Sequence, residues 1–236
     1  MTFFLKNRNP NLVEAMDQKD CDVSKLFATY DNFRIVNRLL SKWQKIYRKL
    51  IKPHLKKDGV NTILDIGFGG GDICILLAKL ARKDGFSIEI TACEMDKRAM
   101  DYIAFAGIED QNITFKLVDI KTLLDSKATF DFVISNHLMH HLSDGELQDM
   151  MSFAGRLANK RVIFNDIERS DLAIPLFWLA TVAFFRNSFI TEDGLISIKR
   201  SFTRKELSRF CSKGWRAQRM FPFRLLLIYN ANQIQT

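Results

Sequence analysis

Ile63-Leu64-Asp65-Ile66-Gly67-Phe68-Gly69-Gly70-Gly71-Asp72 runs from branched apolar residues onto glycines and then into an amphipathic stretch. That order predicts a buried strand, a tight turn and a helix. Glycine there lets the backbone take positive φ and lets a ligand approach where a Cβ would stand. The spacing departs from the dinucleotide fingerprint G-x-G-x-x-G, which would need glycine where Asp72 stands. The chain has Asp65-x-Gly67-x-Gly69-x-Gly71 instead, with a carboxylate two residues before the first glycine.

Downstream of Lys57-Asp58-Gly59, short apolar runs alternate with helical stretches, the pattern of parallel βαβ units. Strands are expected over 62–66, 87–93, 113–117, 130–135 and 161–164, and helices over 72–82, 96–106, 144–158 and 203–211. Two extended runs, 215–221 and 223–230, flank Pro222 and should pair antiparallel at one edge of the sheet. Upstream, Phe27, Tyr30, Phe33, Val36, Leu39 and Leu40 recur at three- and four-residue spacing, which predicts cap helices. The expected organisation is an N-terminal helical cap over 1–57 and a main domain over 58–236, with an insertion at about 168–202.

Hydrophobic residues make up 47% of the chain, enough for a packed core. Cys21, Cys74, Cys93 and Cys211 lie far apart without disulfide or zinc spacing, so a reducing cytoplasm is the default. The opening MTFFLKNRNPNLVEAMD lacks the apolar core of a secretory signal. The longest apolar run, 172–185, is shorter than the roughly 20 residues of a spanning helix and reads as a buried or interfacial helix. Charge is uneven: residues 1–57 carry a net +8, residues 58–198 a net −8 and residues 199–236 a net +8. Dispersed lysines and arginines read as solvated helix faces, and nucleic acid is not favoured as a partner.

Three further segments follow the glycine turn. Thr91-Ala92-Cys93-Glu94-Met95-Asp96 places a carboxylate at the end of the second strand, suited to ribose hydroxyls, while Asp96 suits a helix N-terminus. Val118-Asp119-Ile120 follows the third strand, where Asp119 can equally cap the next helix. Ser135-Asn136-His137-Leu138-Met139-His140-His141-Leu142 ends the fourth strand and gathers three of the four histidines, which would share one face if that turn is helical. Taken in order, these segments resemble the motifs of Rossmann-like, class I S-adenosylmethionine-dependent methyltransferases over residues 60 to 165. The resemblance implies an α/β fold with a seven-stranded, mostly parallel sheet, a C-terminal antiparallel hairpin and S-adenosylmethionine as cofactor. It implies cofactor contacts at Asp65, Gly67, Phe68, Gly69, Gly71, Glu94, Met95, Asp119, Ile120 and Asn136. Within that set Asp65 would suit the methionine ammonium, Met95 the adenine face and Asp119 the adenine amino group.

Methyl transfer from a sulfonium is an in-line displacement, so alignment and exclusion of water dominate. His141 occupies a position similar to a histidine of phosphobase N-methyltransferases, with Tyr30 as its partner; His140 is a competing choice, and either can merely brace the loop. No metal is expected, because no fourth ligand accompanies the histidines. The aromatic-rich stretch 172–185, with Phe177, Trp178, Phe184 and Phe185, suits a substrate lid, core packing or a homodimer face. The whole chain resembles bacterial small-molecule O-methyltransferases of polyketide and quinone-type pathways, implying a small aromatic acceptor. An RNA or protein methyltransferase, or an idle cofactor-binding module, are the alternatives.

Overall fold

The computed structural model describes residues 4–231 of the 236-residue chain, so both extreme ends of the expected cap and main domain lie outside the described residues. The chain begins with a short 3-10 turn, Ala15–Asp17, then α1 (Val23–Val36) and α2 (Trp43–Ile46). Wide π-type turns over Asn37–Ser41 and Tyr47–Ile51, with Lys42 at φ 60° between them, break the cap into short pieces. There follow β1 (Val60–Ile66), α3 (Asp72–Lys83), β2 (Ser87–Glu94), α4 (Lys97–Phe105), β3 (Ile113–Leu117) and α5 (Ile120–Asp125). The rest is β4 (Phe130–Asn136), α6 (Asp144–Leu157), β5 (Ala158–Ile167), α7 (Ala173–Thr181), α8 (Ile190–Arg200), α9 (Arg204–Leu207), β6 (Trp215–Met220) and β7 (Arg224–Asn230).

The seven strands lie in the order β3-β2-β1-β4-β5-β7-β6. The first five are parallel, and β7 joins antiparallel to both β5 and β6, so the hairpin closes the edge as expected. One apolar cluster buries Leu26, Trp43, Ile46, Tyr47 and Leu77 against one face of the sheet; the other buries Leu147, Met151, Leu157 and Leu207 against the opposite face. Strands covered on both sides read as continuous apolar runs, which is why β4 and the end of β1 are buried residue after residue. Strand order reverses between β1 and β4, where a crevice opens at the carboxyl ends of the strands.

Part of the chain's basic charge departs from the expected solvated faces. Arg169, Arg200 and Arg224 are buried, and Arg8 donates to the backbone carbonyls of Arg200, His140 and Leu142. Fixed guanidinium forks satisfy several carbonyls at once, so part of the positive charge is spent inside the fold and not displayed on its surface. Among the described residues, no helix is long and apolar enough to cross a membrane.

Candidate active site

A cavity of about 270 Å³ opens at the strand reversal. Gly67, Gly69, Glu94 and Asp96 line one end, and Asn136, His137, Leu138, His140, His141 and Ile167 another. Its walls come from Glu14, Met16 and Asp17 of the N-terminal segment, from Tyr30, Phe33, Val36 and Asn37 of the cap, and from Phe177, Ile190, Asp193, Gly194 and Ser197.

At the glycine end, Gly67 and Gly69 have φ of 75° and 52°, the left-handed region that side chains resist. Glu94 Oε2 accepts from Gly69 N at 3.3 Å, while its Oε1 accepts from Met95 N at 2.8 Å and Asp96 N at 3.3 Å. The carboxylate is thus braced against the turn with lone pairs left for a ligand. Asp96 caps α4 through Arg98 N, as its position implied.

Other expected cofactor residues are placed differently. Asp65 is buried behind the turn and does not line the cavity; Cys74 Sγ donates to Oδ2 at 3.0 Å, Oδ1 has no hydrogen-bond partner, and burial pushes the carboxyl up to about 7. Phe68 packs edge-on against Phe115, with centroids 4.9 Å apart, in the core. A Cβ on Gly71 would meet Phe115 and Ile103 at about 3 Å, so that glycine serves packing. Met95 is exposed, Asp119 caps α5 by accepting from Thr122 N at 2.9 Å, and Ile120 packs on the second core cluster. None of these six lines the cavity. Asn136 does, but its Oδ1 already accepts from Trp43 Nε1 at 2.9 Å and Asn165 Nδ2 at 3.2 Å.

The three histidines do meet, though not by helical spacing. His137 takes φ 59°, and a 3-10 turn carries Met139–His141, bringing the rings of His140 and His141 to 4.2 Å. His137 Nε2 lies 3.2 Å from Arg224 Nη1 and accepts from it; burial and that guanidinium keep this imidazole neutral. His140 is buried between Asp166 (Nδ1 to Oδ1, 2.8 Å) and Glu14 (Nε2 to Oε1, 3.2 Å). Burial opposes its charge, but the two carboxylates outweigh burial and raise it to about 9. An imidazole already protonated cannot accept a proton, so His140 does not serve as a base in this state. His141 has Nδ1 3.1 Å from Asp17 Oδ2 and Nε2 3.9 Å from Glu14 Oε2. Its structural partner is therefore Asp17. The expected partner, Tyr30, instead has its Cβ 3.1 Å from where a Cβ on Gly70 would stand and tilts against Tyr102.

Sequence reasoning missed Glu14 and Asp17, which come from a segment with no regular pattern. The carboxylate of Asp193 accepts from Ala15 N and Met16 N at 2.7 and 2.9 Å, holding that segment to α8, and Ser197 Oγ donates to Glu14. Arg200 Nη1 stands 3.6 Å from Asp17 Oδ2. The expected lid is met in part. Phe177 lines the cavity, whereas Trp178 is 49% exposed and faces away, because α7 is apolar on every side and can bury only one of them. Phe27 likewise packs against Tyr102 and Phe105 and lies outside the cavity lining.

Gly67 and Gly69 keep the turn open, the Glu94 carboxylate is free to accept from paired hydroxyls, and no lysine or arginine stands among the described lining residues. Those features fit S-adenosylmethionine, whose sulfonium and ammonium would meet carboxylates and no lysine or arginine.

Comparisons with known proteins agree. Residues 63–161 match a family model described as a methyltransferase domain. No curated protein matches. Among solved structures, the chain is similar to the plantazolicin methyltransferase BpumL in complex with SAH, at 14% identity and TM-score 0.64, covering 92% of this chain and 94% of that one. It is similar to a SAM-dependent methyltransferase from Aquifex aeolicus at 16% identity and TM-score 0.55, covering 88% and 97%. It is also similar to the CMeT domain of the citrinin polyketide synthase at 13% identity and TM-score 0.59, covering 87% of this chain and 58% of that one. With the glycine turn, the braced Glu94 and the seven-stranded sheet in place, the chain has the Rossmann-like methyltransferase fold, and the part of it over residues 63–161 is the part that matches a methyltransferase domain.

Proposed function

We propose that the protein methylates a small aromatic or polyketide- or quinone-like acceptor at an ionisable hydroxyl. The observation that carries this reading is that one continuous cavity joins the glycine turn and Glu94 to the histidine cluster. S-adenosylmethionine supplies an electrophilic methyl group on a sulfonium. Gly67 and Gly69 would hold it by backbone approach, and Glu94 would accept from its ribose hydroxyls.

The acceptor's place is the histidine end. Phe33, Val36, Leu138 and Phe177 offer apolar walls for a ring, and the polar cluster offers a place for its oxygen. His141 is the proposed catalytic residue there: Asp17 holds Nδ1, leaving Nε2 to engage the hydroxyl as its proton is lost. The described part of the N-terminal region, residues 4–57, then acts as a cap, and Phe177 with the start of α8 as a lid that excludes water.

The test is transfer of a labelled methyl group to a panel of phenols, quinols and RNA. Label is expected in phenols or quinols, and His141→Ala should slow that transfer by about 100-fold or more while leaving cofactor affinity unchanged. Label entering RNA alone, or no acceptor at all, would defeat the reading.

A further inference from the structure

The acceptor end of the cavity contains two overlapping sets of metal-ligating side chains, Glu14 with His140 and His141, and His137 with His140 and Asp166. The second set is already occupied by the protein. His137 Nε2 accepts from Arg224, and Asp166 accepts from His140 Nδ1, from His140 N at 2.9 Å and from Ile167 N at 2.7 Å. The first set is arranged differently. Both histidines present Nδ1 to a carboxylate, His140 to Asp166 and His141 to Asp17, and both turn Nε2 toward Glu14. A carboxylate on Nδ1 is the usual support of a metal-bound imidazole, and a cation bound here would take the place of the proton on His140 Nε2.

Distances agree with a shared ion. Ligands about 2.0–2.2 Å from one tetrahedral cation stand roughly 3–4 Å apart. Here His140 Nε2 is 3.2 Å from Glu14 Oε1 and His141 Nε2 is 3.9 Å from Oε2 of the same carboxylate, and one ligand atom from each of the three residues lies within 4.8 Å of the other two, so a small inward shift would seat the ion. A second observation points the same way: His140 Nε2 is buried and makes no hydrogen bond, although Glu14 Oε1 lies close.

We infer that Glu14, His140 and His141 form a site for a divalent first-row transition cation of the Zn²⁺ or Co²⁺ kind, with a coordination position open to the cavity. Two imidazoles and one carboxylate suit such borderline ions better than Mg²⁺ or Ca²⁺, which prefer all-oxygen sets. The open position is where an acceptor oxygen would bind, and only that part of the inference rests on the methyl-transfer reading. With the cation on Nε2 of His141, the ion and not the imidazole would lower the hydroxyl's hold on its proton.

Equilibrium dialysis of the whole protein against Co²⁺, followed by visible absorption, tests the site. One tightly held Co²⁺ per chain with ligand-field bands of a low-coordinate nitrogen and oxygen set is expected, displaced by Zn²⁺. His141→Ala and Glu14→Gln should weaken it about 10-fold or more, Asp17→Asn by about 10-fold, and the remote His54→Ala not at all. Melting curves check that each variant folds; should Glu14→Gln fail to fold, the partly exposed His141 carries the test. Equal Co²⁺ binding by His141→Ala and wild type, or no stoichiometric binding, overturns the site. Methyl transfer by protein that binds no Co²⁺ overturns the site and leaves the methyl-transfer reading standing. Stoichiometric Co²⁺ with no transfer to any acceptor supports the site and counts against that reading.

Discussion

The ring of Phe177 rests directly on Gly194: a Cβ built on that glycine would stand 2.2 Å from the ring edge. The α7 to α8 contact therefore depends on the missing side chain, and the same ring forms a wall of the cavity. Gly194→Ala should displace Phe177, lower stability by about 1–3 kcal/mol and raise the acceptor's KM with little change in cofactor affinity. Trp178→Ala, on the outward side of the same helix, should leave both constants unchanged. Thermal melts and steady-state kinetics on the two variants decide this; the reverse pattern would remove Phe177 from the acceptor wall.

Glu94→Ala should weaken S-adenosylmethionine binding by roughly 10- to 100-fold, corresponding to about 1.5–3 kcal/mol for hydrogen bonds to a charged group. The variant also releases Gly69 N from its brace. Calorimetric titration gives the answer; unchanged affinity, or a preference for NAD, would refute the cofactor assignment.

Asp65 gives the stability curve of the ligand-free protein a definite sign. Burial raises its folded-state carboxyl from 3.8 to about 7, so between those values the folded chain holds a proton that the unfolded chain has released. Its contribution is full below pH 4 and is lost as pH rises toward 7. Asp65→Asn cannot ionise, so its stability relative to wild type should improve from pH 4 to pH 8. Urea unfolding of both proteins at the two pH values measures the difference, and a variant whose stability does not rise relative to wild type would contradict the buried neutral acid.

Tight RNA binding is not expected despite the net +8. Arg8, Arg169, Arg200 and Arg224 turn their guanidinium groups into the fold and are unavailable to phosphates. Filter binding with tRNA should show weak association that collapses with salt, as counterion release demands. Saturable binding at physiological salt would overturn this.

Much of the sheet was legible because parallel strands buried on both faces leave unbroken apolar runs. β3 has the expected bounds, and β1, β2 and β4 extend theirs by one or two residues. The glycine turn and Glu94 were legible for the same local reason. Asp65, Asp119 and Trp178 were not, because a carboxylate after a strand serves ligand, cap or buried acid equally well, and a helix apolar all round carries no facing signal. Glu14 and Asp17 were out of reach: their roles depend on His140 and His141, more than 120 residues away, and no local pattern records that pairing.

The segment ending at Asp17 depends on a support far along the chain. Its anchor, the Asp193 carboxylate, lies 178 residues beyond Ala15, so a growing chain exposes Glu14 and Asp17 long before their supports exist. Two backbone bonds to one carboxylate hold this wall across that span, so the wall is only as firm as the Asp193 contact. Whatever loosens the Asp193 anchor therefore loosens a wall of the acceptor's place with it.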